Sequence, residues 1–105
     1  MPTSTAHVRT ELPRRYMGQL CKHFEHKLPV TLEETSGQIA FPFGTCLLSI
    51  AEHSLVLQAH ADDADSLATT EDVVARHLLR FAFREELAIA WDNKARDNDQ
   101  LQEAS

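Results

Sequence analysis

Leu20-Cys21-Lys22-His23-Phe24-Glu25-His26-Lys27-Leu28-Pro29-Val30-Thr31-Leu32-Glu33 is where the chain changes its period. Upstream, Met17, Leu20, Cys21, Phe24 and Leu28 recur at spacings of three and four, one face of a helix. Downstream, Val30 and Leu32 alternate with Thr31 and Glu33, the period of a half-buried strand. Leu28-Pro29 is the expected boundary, because the residue before a proline is pushed out of helical geometry. Thr10 or Glu11 is the expected cap of this helix, and Pro13 suits its first turn, where a missing N–H costs nothing.

Working outward, Thr5-Ala6-His7-Val8 reads as a short edge strand ahead of the helix, with Met1 to Thr3 loose. After Val30, Thr35-Ser36-Gly37 is a turn signal. Ile39 and Phe41 continue the alternation until Pro42-Phe43-Gly44 breaks it. Cys46, Leu48 and Ile50 form the inward set of a third segment, and Leu55, Leu57 and Ala59 that of a fourth. Glu52-His53-Ser54 joins them without the Gly or Asn that favours tight hairpins. Asp62-Asp63-Ala64-Asp65-Ser66 then opens a second helix, where carboxylates complement the positive helix end. Its stripe is Leu67, Thr70 or Glu71, Val74, Leu78 and Phe81, with His77 at the edge and a kink or restart expected near Thr69–Asp72. Leu87, Ile89 and Trp91 mark a last strand.

The expected order is therefore β-α-β-β-β-β-α-β. Two amphipathic helices cover one face of a largely antiparallel sheet, a two-layer α+β sandwich. Residues 1–92 read as one domain and 93–105, polar and aperiodic, as a disordered tail. The other sheet face carries Thr31, Glu33, Leu47, Ser49, Val56, Gln58 and His60, a mixed surface suited to water or to a weak dimer. Phe41, Phe43, Phe81, Phe83 and Trp91 read as core.

Charge narrows the functional classes. Of 105 residues, ten are Lys or Arg and sixteen Asp or Glu, for a net charge of −6. Phosphate affinity comes from a basic surface, so neither nucleic acid nor an anionic membrane is an expected partner. Two cysteines and no secretory signal point to a reducing, cytoplasmic setting. No Gly-rich phosphate loop, Ser-His-Asp order or Walker-type lysine is present, and no cofactor is required, so a binding module is favoured over an enzyme.

The candidate chemistry sits in the opening stretch. Residues advance about 100° each on a helix, which puts His23 and His26 about 60° apart and one turn from each other. Cys21 then lies about 160° from His23, so the string looks like a Cys-x-His-x-x-His zinc motif whose sulfur is turned away. His23 and His26 form a two-point metal or haem candidate that needs a third ligand, for which His77 or a carboxylate of the second helix is the candidate. The alternatives are a solvated face or contact with an anion. Cys21 and Cys46 read as buried, inert thiols. Lys22 and Lys27 flank the histidines, and Arg76, Arg80 and Arg84 run at four-residue spacing along the second helix. If the helices pack side by side, Lys22, His23, His26, Lys27, His77, Arg80 and Arg84 share a groove able to hold a small anion. The plainer reading is that these cations pair with Glu71, Asp72, Glu85 and Glu86 on the surface.

Arg15-Tyr16, Leu20-Cys21-Lys22-His23-Phe24, His26-Lys27-Leu28-Pro29-Val30, Thr35-Ser36-Gly37, Phe41-Pro42-Phe43-Gly44, Glu71-Asp72-Val73-Val74 and His77-Leu78 through Arg84 together carry a family resemblance. The chain resembles, over about residues 3 to 91, a small bacterial family catalogued as domain of unknown function 2218. The resemblance implies no reaction. It does imply an accessory role in iron or siderophore handling, since similar domains occur fused to or beside siderophore-interacting flavoproteins. The expected partner is such a flavoprotein or a second copy of the chain. The rival expectation is a protein-interaction or dimerisation module with no small ligand.

Overall fold

Seven elements follow one another in the computed structural model, which describes residues 2–83 and 85–92. They are β1 (Thr3–Arg9), α1 (Pro13–Phe24), β2 (Val30–Leu32), β3 (Ser36–Phe41), β4 (Gly44–Ala51), β5 (Ser54–His60) and α2 (Ala64–Phe81). The expected disordered tail, 93–105, lies outside the described residues.

The apolar stripe of α1 has the consequence its spacing dictates. Met17, Leu20 and Cys21 are buried against the sheet, while Lys22 and His23 are exposed. The helix begins later than expected. Leu12 holds the N-cap position with no side-chain cap, and Pro13 opens the first turn. Thr10 accepts a bond from the Leu12 N–H at 3.1 Å instead of capping the turn itself. The helix also ends earlier, at Phe24 rather than Leu28. The N–H groups of Lys27 and Leu28 both close on the Phe24 carbonyl, at 3.1 and 3.0 Å, so the chain tightens into a turn before Pro29.

The sheet runs β1-β5-β4-β3-β2, antiparallel throughout. The predicted meander supplies four of these strands. β1 lies at the far side, pairing Thr3 with His60 through Arg9 with Ser54, so Thr3 is ordered by the ladder and not loose. β3 and β4 join through Pro42-Phe43, with Phe41 opposite Gly44. β4 and β5 join through Glu52-His53, where His53 takes the left-handed conformation at φ 56°. Histidine is among the side chains that tolerate this region better than most. Its carbonyl accepts from Thr10 N–H at 3.0 Å and its Nδ1 meets Glu11 Oε2 at 2.9 Å, tying the hairpin to the entrance of α1.

Helix α2 is continuous. Asp63 caps it by accepting from Ser66 N–H at 2.7 Å. That bond holds the Asp63 carboxyl below its ordinary pKa. The expected break at Thr69–Asp72 does not occur, because the Thr69 and Thr70 hydroxyls donate to the carbonyls of Asp65 and Ser66 along the helix. Both Thr70 and Glu71 are buried, Glu71 accepting from Ser4 Oγ at 2.5 Å.

The closing strand is reduced to a bridge. Leu87, Ile89 and Trp91 pack against the core as their alternation implies, yet among the described residues of this segment only Asp92 pairs with β1, exchanging bonds with Thr5 at 2.7 and 3.0 Å. Glu85 anchors the segment upstream, accepting from Tyr16 at 2.7 Å and Thr10 at 2.9 Å. One expected core ring is outside: Phe83 is 78% exposed. Ala82 takes the inward position at the end of α2, which turns its neighbour outward.

Candidate functional site

A groove of about 550 Å³ opens where α1 ends. Its walls are His23, Phe24, His26, Lys27 and Leu28 from α1 and the turn after it, Phe41, Pro42 and Phe43 from the β3–β4 hairpin, and Val73 from α2. Phe24 is the hinge of this arrangement. Its ring stands edge-on to Phe41 with centroids 5.0 Å apart, and Phe41 stacks on Phe43 at 5.2 Å and 15°. On its other side, Phe24 lies 4.9 Å from both His23 and His77. His23 and His77 are themselves 4.9 Å apart, and His23 lies 5.6 Å from Phe81. Six rings thus form an unbroken row from the hairpin tip to α2, most pairs tilted or edge-on as ring quadrupoles prefer.

His77 has a defined tautomer. Its Nδ1 lies 2.7 Å from the Val73 carbonyl, which only accepts, so Nδ1 carries the proton and Nε2 is left for another partner. His23 is held below the ordinary imidazole pKa, first by desolvation and then by the charges of His77, Arg80 and His26. Among the groups acting on His23, Arg80 is the fixed cation at the corner where the two helices meet. A second hollow of about 210 Å³ adjoins it, lined by Arg76, His77 and Arg80. Arg76 is engaged with Asp72 at 2.9 Å, an ordinary surface pair of adjacent helical turns.

The thiols face the opposite way. Cys21 and Cys46 are free and buried, and burial pushes their pKa values up to about 11 and about 12. Neither is a nucleophile in that state, since the thiolate is the reactive form. Cys21 turns inward while His23 and His26 stay exposed, as the helical angles require.

The structure brings together His23, His26 and Lys27 in the groove, and His77 and Arg80 at its neighbour. Lys22 is exposed but lines neither hollow. Arg84 lies outside the described residues. Among the described residues, no group of three His, Cys, Asp or Glu is placed to hold a metal ion. His23 and His77 supply at most a two-nitrogen contact, short of the three or four ligands a stable site uses. Phe41 and Phe43 read as core and do belong there, Phe41 buried and Phe43 packed against it. Sequence reasoning missed that they also wall a groove, for which the one available signal was Phe41-Pro42-Phe43-Gly44, a stretch rich in rings that also breaks the strand.

The open sheet face forms a separate hollow of about 400 Å³. Thr31, Glu33, Leu47, Ser49, Val56 and Gln58 line it with Thr5. His60, expected with them, lines a different hollow beside Phe43 and Gly44.

The fold and the groove define a two-layer α+β domain in which α1 ends beside the β3–β4 hairpin and leaves a ring-walled opening. The chain belongs to the family of uncharacterized proteins conserved in bacteria designated DUF2218, whose model matches residues 5–92. It is similar to PA4090 from Pseudomonas aeruginosa, a protein of NMR structure, at 43% identity and a TM-score of 0.75. The match covers 88% of this chain and 96% of that one. No curated protein matches the chain. No helix among the described residues is long and apolar enough to cross a membrane.

Proposed function

We propose that the protein is an accessory binding module for iron or siderophore handling, working through the groove at the end of α1. The observation that carries this reading is the unbroken row of rings with basic groups at its rim. Small-ligand sites are concave, mostly apolar and furnished with a few polar groups, and volumes of about 300–1,000 Å³ are usual. The groove has that character, with His26, Lys27 and His23 as its polar edge. Siderophores that chelate through catecholates present flat rings and negative oxygens, which suit stacking surfaces beside cations. The family's resemblance to domains found with siderophore-interacting flavoproteins supports the ligand class and suggests the flavoprotein as partner.

Titration calorimetry with a ferric catecholate siderophore, a ferric hydroxamate siderophore and haem tests the proposal. Saturable heat with the catecholate complex, lost in His23→Ala/His26→Ala, supports it. No heat with any of the three, and no pull-down of a siderophore-interacting flavoprotein, overturns it.

The open sheet face supports a second reading, a dimer without small ligand. Leu47 and Val56 lie there in a hollow lined mostly by polar residues. Sedimentation over a hundredfold range of concentration decides between them: a strict monomer removes the dimer.

A further inference from the structure

We propose that the groove binds an aryl carboxylate, a flat ring bearing an anionic oxygen group, and does so without any metal. The inference rests on the reading of the groove as a ligand site and adds the chemistry of the ligand's recognised end.

The walls select a ring. Phe43, the more exposed of the two, stacks on buried Phe41 with planes 15° apart and centroids 5.2 Å apart, so Phe43 is the apolar platform at the hairpin tip. Leu28, Pro42 and Val73 add apolar lining beside it. A flat ring stacks on this platform or meets Phe24 edge-on, as Phe41 already does at 5.0 Å.

The charges select an anion. Lys27, His26 and His23 line the groove, and Arg80 and His77 line the adjoining hollow. Among the described residues no Asp or Glu lines either one, with Asp72 engaging Arg76 of the second at 2.9 Å, although the chain as a whole carries a net charge of −6. Phe24 joins the two regions, 5.0 Å from Phe41, the ring beneath the platform, and 4.9 Å from both imidazoles. A ring seated on the platform therefore points its substituent towards the cations. His77 gives Nδ1–H to the Val73 carbonyl, so its Nε2 meets the ligand, and when protonated it donates to a carboxylate oxygen.

The same arrangement disfavours a bare cation. The proton of His23 is disfavoured first by desolvation and then by the charges of His77, Arg80 and His26, and a divalent ion in that corner meets the same charges. An anion reverses the sign of that charge interaction. The occupant is thus the organic acid itself, and iron, where present, is carried by the ligand.

Two-dimensional NMR titration of the full chain tests this, with a chelator present throughout. The probes are benzoate and 2,3-dihydroxybenzoate, against cyclohexanecarboxylate (the same charge without a flat ring) and benzyl alcohol (the ring without the charge). Expected are saturable shifts of Phe24, Phe43 and His23 signals with both aryl acids, and binding about tenfold weaker or worse for the two comparators. Arg80→Ala, at an exposed position, weakens benzoate about tenfold and leaves benzyl alcohol unchanged. Phe43→Leu weakens benzoate more than cyclohexanecarboxylate. Equal affinity for cyclohexanecarboxylate overturns the proposal, as does the absence of saturable shifts with both acids. If the aryl acids fail while a ferric siderophore still moves the His23 and Phe24 signals, the ligand chemistry is wrong and the groove reading stands. If nothing moves those signals, both fall.

Discussion

Helix α1 meets strand β3 in two places, and the two contacts differ in kind. At one, Cys21 lies so near Gly37 that a Cβ on the glycine would stand 2.9 Å from the sulfur. At the other, one turn along, Phe24 meets Phe41 through rings 5.0 Å apart and a groove opens beside them. Small residues let a helix close onto a sheet, and large rings prop it away. The same helix is thus sealed at its middle and open at its end. A sealed contact contributes packing energy, whereas an open one leaves surface that a ligand can cover.

Leu20→Ala strikes the sealed region hardest. Leu20 is fully buried, and its truncation costs about 3 kcal/mol in denaturant unfolding. A loss below about 1 kcal/mol shows that this region is looser than described. Gly37→Ala follows, at about 1–3 kcal/mol, because the added methyl meets Cys21 Sγ and, at 3.4 Å, the Thr31 carbonyl. Cys21→Ala in the same chain recovers part of that loss. Strict additivity of the two substitutions breaks the claim of direct contact. Phe24→Leu, at the open end, costs no more than about 1.5 kcal/mol yet removes groove binding. A large stability loss makes Phe24 a core residue and dissolves the contrast.

Two smaller effects concern protons. Tyr16 and Thr10 donate to Glu85 and hold its carboxyl below the usual range. The folded pKa is depressed, so this stabilisation is present above the unfolded value and lost as pH falls through the folded one. The advantage of wild type over Glu85→Gln therefore shrinks on acidification below about pH 4.3, where unfolded glutamate protonates. His23 likewise titrates below ordinary histidine, so its neutral form belongs to the folded state, and protonation as pH falls destabilises that state. His77→Gln moves the His23 midpoint upward in a proton NMR titration. An unchanged midpoint removes the coupling between the two rings.

The legible parts were those set by local spacing. Met17, Leu20 and Cys21 declared a buried face by their intervals, and Leu55, Leu57 and Ala59 did the same with period two. The ends of α1 were read less well. Thr10 looked like a cap because its side chain suits that role, but a contact with Glu85, distant in the chain, draws it elsewhere. Thr69 and Thr70 suggested a break, and bonding to their own helix removed it. Leu87 to Trp91 kept its inward alternation but not its ladder, since packing against the core needs only one face while pairing needs a partner edge. Of the candidate site, the exposed imidazoles were visible from helical angles. That Phe41 and Phe43, rightly read as core, also wall an opening was not visible, because a ring at a core interval reads the same whether or not a groove adjoins it.

Composition and periodicity alone determined the α+β class, the two helices, the four-strand meander and the inward turn of the cysteines, because each depends on residues only a few positions apart. The tertiary structure decided that β1 joins β5, that His77 stands beside His23, and that the Pro42-Phe43 hairpin faces the end of α1. Those are meetings of segments far apart in the chain, and no local period encodes where such segments land or what space they leave between them.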